Sequence, residues 1–140
     1  MARTYSVSVP VGATPERTWA VLADVTAWPS LTGSMTAVSL DSLSIGAGAT
    51  ARIKQPGMPA ADWTVTRFVD GESFTWESRS PGVNVSADHV VTSDAAGNTF
   101  LTLSVSMSGL LAAPVWMLAA KRTRRFVDME AHGIAQEAAQ

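Results

Sequence analysis

Apolar positions along this chain change period three times, and each change marks an element. Residues 3 to 11 alternate, with Tyr5, Val7, Val9 and Val11 on one side and Thr4, Ser6 and Ser8 on the other. That period of two is the mark of a half-buried strand. Thr14-Pro15-Glu16 then opens a helix, with Trp19, Leu22 and Ala23 on its inner stripe. Thr14 is a capping residue, proline suits the first helical position, and an acid sits well at the positive end of the dipole. A second, short helical piece is expected at Trp28-Pro29-Ser30-Leu31, closed by Gly33.

From Met35 to Met107 short alternating runs are separated by turn residues, which predicts antiparallel strands joined by hairpins near 35 to 40, 49 to 55, 61 to 69, 72 to 79, 83 to 92 and 98 to 107. The punctuation is Gly46-Ala47-Gly48, Pro56-Gly57-Met58-Pro59, Asp70-Gly71, Ser80-Pro81-Gly82 and Asp94-Ala95-Ala96-Gly97-Asn98. Parity assigns the faces. Ala51, Ile53 and Gln55 share one side, as do Trp63 and Val65, Phe74 and Trp76, Val85, Ala87, His89 and Val91, and Leu101, Leu103, Val105 and Met107. Every strand therefore has an apolar face, while Glu77 and Arg79 fall on the outer one.

The last stretch, Pro114 to about Ala139, reads as one helix of roughly 26 residues, or about 39 Å. At a helical step Val115, Leu118, Ala119, Phe126 and Met129 fall together, Trp116, Ala120, Val127 and Ile134 fall beside them, and Lys121, Arg124, Asp128 and His132 form the opposite stripe. A helix apolar around more than half its circumference must be covered by something broad, and the preceding strands supply a sheet. The expected class is α+β: a seven-stranded antiparallel sheet, two short N-terminal helices and a long C-terminal helix, with sheet and helix enclosing a cavity.

Composition narrows the chemistry. A chain of 140 residues is expected to form a single domain, 1–140, with a sizeable core. Ten basic residues against twelve acidic ones give a formal charge of -2, and 16% of residues are charged, so no global basic field attracts nucleic acid. The absence of cysteine excludes disulfides, thiolate catalysis and Cys-based zinc sites. The N-terminus lacks the apolar core of a signal peptide and no run approaches a membrane span, so a cytoplasmic location is the default expectation. No G-x-S-x-G, phosphate-cradling G-x-x-x-x-G-K or G-x-G-x-x-G occurs, and no cofactor is expected.

Several pieces in this order resemble a known family. They are Thr14-Pro15-Glu16-Arg17-Thr18-Trp19 with Leu22-Ala23-Asp24 and Trp28-Pro29, the Gly46-Ala47-Gly48 turn, Trp63-Thr64-Val65, Phe74-Thr75-Trp76, Ala87-Asp88-His89, Gly97-Asn98-Thr99, and the terminal Glu130-Ala131-His132-Gly133-Ile134. Over essentially the whole chain they are similar to the START-like (SRPBCC) superfamily, in its polyketide cyclase/dehydrase and lipid-transport branch. The resemblance implies a helix-grip fold, in which a curved sheet grips the C-terminal helix around an apolar cavity. Such cavities take lipids, hormones, quinones or polyketides, and only some members are enzymes.

The candidate site residues follow from the two faces. Arg122 lies in the apolar arc between Leu118 and Phe126, where it either projects its fork into the cavity to hold an anionic group or packs its stem and sends the charge to solvent or to Glu130. His89, on the apolar face of its strand, is either a cavity acid or base or a neutral core residue. Tyr5, Gln55, Trp63, Trp76, Val105, Phe126 and Met129 point the same way and would line the cavity, with Met58 on a loop at its lip. A metal site is not expected, since His132, the only other histidine, falls on the polar stripe. Lys121-Arg122-Thr123-Arg124-Arg125 places four cations in five residues, either a solvated face partly balanced by Asp128 and Glu130 or a weak contact with an anionic membrane surface or an acidic partner. The expected activity is binding of a small hydrophobic or amphipathic ligand. The alternative is a polyketide cyclase or dehydratase in which Arg122, His89 or Tyr5 act inside the same cavity.

Overall fold

The computed structural model describes residues 3–140. The elements run β1 (Thr4–Val11), α1 (Pro15–Ala23), a 3-10 helix (Val25–Ser30), β2 (Ala37–Leu40), β3 (Thr50–Lys54), β4 (Ala61–Val69), β5 (Ser73–Ser80), β6 (Val83–Ser93), β7 (Thr99–Ser108) and α2 (Ala112–Ala138). All seven strands join one curved antiparallel sheet in the order β1-β7-β6-β5-β4-β3-β2. After β1 the chain crosses to the far edge through its two short helices and returns strand by strand, until β7 pairs with β1 from Thr4↔Ser106 to Val11↔Thr99. With α2 against this sheet, the architecture is the α+β helix-grip layout.

Local chemistry explains the elements. The Thr14 hydroxyl accepts from the Arg17 amide at 3.1 Å and caps α1, and Pro15 follows at its first position. The second helical piece starts earlier than the sequence pattern suggests, at Val25, because Trp28 is its anchor: its ring is fully buried and Nε1 donates to the Leu22 carbonyl at 3.1 Å. β2 starts at Ala37, since Met35 turns into the core ahead of it. Between Val65 and Arg67 the β4–β5 register shifts. This bulge leaves Thr66 and Arg67 both outside and returns Phe68, not Arg67, to the inner face. The outer face of β1 and β7 is a ladder of hydroxyl pairs, Thr4 with Ser106, Ser6 with Ser104 and Ser8 with Thr102.

How α2 sits decides where space is left. It begins at Ala112, two residues before Pro114, a placement open to proline because first-turn amides need no helical partner. Its C-terminal half is seated firmly, with Val127, Ala131, Ile134 and Ala138 in the core and α1, β1 and β7 as neighbours. Gly133 makes this possible, since a Cβ there would collide with the Leu31 carbonyl. Toward its N-terminus the helix stands away from the sheet. Leu118, read as part of the inner stripe, is exposed, and so is Met117. Ala112 is buried at the helix start and the apolar arc is filled again from Phe126 onward, while Val115, Leu118 and Ala119 between them are not fully covered.

Candidate functional site

Beneath the raised half of α2 lies a cavity of about 240 Å³. Its walls come from both layers: Ile53, Trp63, Trp76, Ala87 and Val105 from the sheet, Val115, Ala119, Phe126 and Val127 from the helix. Inward parity of the strands puts the sheet residues there, and the i, i+4, i+7, i+11 spacing of 115, 119, 122 and 126 puts the helical ones opposite. Trp63 and Trp76 touch with centroids 6.2 Å apart. Trp28, Phe74, Trp76 and His89 pack as an aromatic floor, and Trp28 was not legible in the sequence as part of it.

His89 is 4% exposed, stacks on Phe74 at 4.2 Å and 14°, and has Nδ1 3.1 Å from the Phe74 carbonyl. Burial lowers its pKa to about 4, with the Phe74 carbonyl and Asp88 opposing the fall. The ring is thus neutral at pH 7, with Nδ1–H donating to Phe74 and Nε2 left as a lone-pair acceptor at the cavity wall. Gln55 also lines the space, its Nε2 donating to the Ser34 carbonyl at 3.2 Å.

Glu130 is the site residue that sequence reasoning assigned elsewhere. The sequence pattern sets it against the basic face, yet it lines the cavity at 9% exposure and has no hydrogen-bond or ion-pair partner among the described residues. Its position four residues after Phe126 and three after Val127 was the available signal. Desolvation raises its pKa to about 8, so at pH 7 it is mainly a neutral carboxylic acid, able to donate a hydrogen bond.

Other expected residues lie elsewhere. Arg122 lines the cavity from its rim, exposed, with Nη1 near Gly57, and it makes no ion pair with Glu130. Tyr5 is not at the cavity: its hydroxyl donates to Asp128 Oδ1 at 2.6 Å and its ring lies under Arg124 at 5.9 Å. That carboxylate raises the phenol pKa, since it holds the proton. Met129 packs toward Gly33, also off the cavity wall. Met58 does line it, on a loop tied down by Lys54 Nζ, which donates to the Gln55 carbonyl at 3.0 Å and to the Met58 carbonyl. His132 is exposed with Nδ1 on the Asp128 carbonyl at 2.7 Å. Among the described residues no three His, Asp or Glu side chains gather to hold a metal ion.

Cavity, sheet and helix together define a helix-grip container. Residues 2–139 match the family described as polyketide cyclase / dehydrase and lipid transport, and the chain belongs to that family. Among solved structures it is similar to the Zhui aromatase/cyclase of a Streptomyces species, at 19% identity and a TM-score of 0.78 over 99% of this chain and 94% of that one. It is similar also to a truncated norcoclaurine synthase from Thalictrum flavum, at 12% identity and 0.73 over 100% and 95%. A START superfamily protein from Mycobacterium smegmatis aligns at 12% identity and 0.71 over 96% and 97%. At these identities the likeness is one of fold. No curated protein matches the chain.

Proposed function

We propose that this protein binds a small, largely apolar molecule carrying one hydroxyl or carbonyl group, and holds it under α2 as a carrier or sequestering protein. The observation that carries the reading is the cavity of about 240 Å³, walled by aromatic and aliphatic side chains with Glu130 as a polar group that has no partner among the described residues. A cavity of roughly 150 Å³ holds benzene, which scales to a two-ring guest here. Burying roughly 250 Å² of such a guest contributes about 6 kcal/mol before the loss of its free motion. Orientation falls to the protonated Glu130, which donates to the guest's oxygen, and to His89 Nε2, which accepts from a hydroxyl.

Native mass spectrometry of the protein purified without organic solvent tests this, together with titration of 2-naphthol followed by tryptophan fluorescence. One guest per chain and saturable quenching are expected, both lost when Val105→Phe fills the cavity. Quenching unchanged in a folded Val105→Phe protein would refute the reading.

Glu130 also favours a second reading, a cyclase-type enzyme, because a carboxyl with a pKa of about 8 is matched to proton transfer near neutral pH. Arg122 at the rim and Tyr5 on Asp128 are poorly sited for such chemistry, so the proton-moving pair would be Glu130 and His89. Turnover of a poly-β-ketone analogue that vanishes in Glu130→Gln while 2-naphthol still binds is the result that supports it. Absence of turnover in the unaltered protein excludes it for that substrate.

A further inference from the structure

The raised end of α2 exposes what a core helix normally hides. Leu110 is 96% exposed, Met117 83% and Leu118 89%, and Leu111 is half-exposed beside them. Lone exposed apolar residues are ordinary, but a cluster of large ones is not. One to two turns on, Lys121, Arg122, Arg124 and Arg125 are exposed as well. At a helical step Met117, Lys121, Arg125 and Leu118 share one outward arc, so apolar and cationic side chains form a single surface. No acidic residue occurs from Ala95 to Val127, and none of these cations forms an ion pair among the described residues.

The neighbours fix where this surface lies. The Leu111 amide donates to the Gly82 carbonyl at 2.8 Å, and Arg122 Nη1 reaches toward Gly57. The turn before β6, the loop after β3 and the start of α2 thus meet at one end of the molecule, where Met58, Val83 and Val115 form the cavity rim.

We propose that this end of α2 docks on an anionic lipid surface, seating Leu110, Met117 and Leu118 at headgroup depth while Lys121, Arg122, Arg124 and Arg125 engage lipid phosphates. Exposed apolar side chains backed by cations on one arc of a helix match the interface of an anionic bilayer, where shallow burial and charge attraction add. A second copy of the chain fits less well, because a two-fold contact across this arc would bring eight unpaired cations together. Spanning is not involved, as no helix among the described residues is long and apolar enough to cross a membrane. The docking does not depend on what the cavity holds.

The test is flotation of the full chain with vesicles of phosphatidylcholine alone or with about a third phosphatidylglycerol, at low and at high salt. Binding is expected to the anionic vesicles only, weakened by salt and reduced roughly tenfold or more by Lys121→Glu with Arg125→Glu. Met117→Ser with Leu118→Ser, which removes no charge, is expected to reduce it comparably. Two results overturn the proposal: no binding to anionic vesicles at low salt, or equal binding by all variants. A chain that is dimeric in solution and becomes monomeric in Met117→Ser with Leu118→Ser assigns the face to a second copy instead. Binding to polyglutamate without binding to vesicles assigns it to an acidic protein.

Discussion

Replacing Glu130 by glutamine keeps the shape of the cavity wall and removes its buried acid. Glu130 has a folded pKa of about 8 against an ordinary 4.5, so the folded chain holds a proton that the unfolded chain has released between those values. Stability therefore falls as pH rises across that range. His89 runs the other way: its folded pKa of about 4 lies below the ordinary 6.5, so the unfolded chain binds the extra proton and stability rises with pH up to 6.5. From pH 4.5 to 6.5 the two slopes cancel. From 6.5 to 8 only Glu130 remains, and at about 1.4 kcal/mol per pH unit the native state loses about 2 kcal/mol. Urea unfolding across pH 4 to 9 reads this directly. The unaltered protein is expected to show a plateau near pH 4.5–6.5 followed by that decline. Glu130→Gln is expected to climb by about 3 kcal/mol from pH 4 to 6.5 and to stay flat above. An unaltered protein that is flat to pH 9, or a Glu130→Gln variant that keeps the decline, would refute the picture of a buried, unpartnered carboxyl.

Further outcomes follow from single contacts. Gly133→Ala should destabilise by about 2 kcal/mol or more in thermal melts, although helix propensity alone predicts a gain of about 1 kcal/mol, because its Cβ meets the Leu31 carbonyl. An increase in melting temperature would show that α2 does not seat there. Tyr5→Phe removes the 2.6 Å bond to Asp128 that ties β1 to α2 and should cost about 1–2 kcal/mol in urea unfolding, with 2-naphthol binding unchanged. Weakened binding in that variant would return Tyr5 to the cavity. His89→Phe keeps the stack on Phe74 but removes the slope that opposes Glu130, so the plateau between pH 4.5 and 6.5 becomes a decline of about 1.4 kcal/mol per pH unit, which the same unfolding series measures.

Much of the fold was legible because a strand with one buried face specifies its own register. The run Val85, Ala87, His89, Val91 points inward as alternation requires, and most observed strand ends lie within one residue of the expected ones. The bulge at Thr66 and Arg67 escaped because nothing in two adjacent polar residues marks an extra one in the strand. On α2 the angular pattern was sound, but it carries no information on how far the helix axis lies from the sheet. Leu118 and Phe126 share a stripe, yet Gly133 pins one end of the helix down and the other end rises. Glu130 and Arg122 illustrate the remaining ambiguity. Both lie on the inward arc, and only the local depth makes one a buried acid and the other an exposed cation at the rim.

That depth is the centre of the account, and a crystal of the protein pressurised with xenon measures it most directly, because xenon collects against the apolar walls of a hollow. Xenon density is predicted between Trp63, Trp76 and Phe126, beneath Val115 and Ala119. Density showing those side chains interlocked, with no xenon among them, would contradict the reading of this protein as a container.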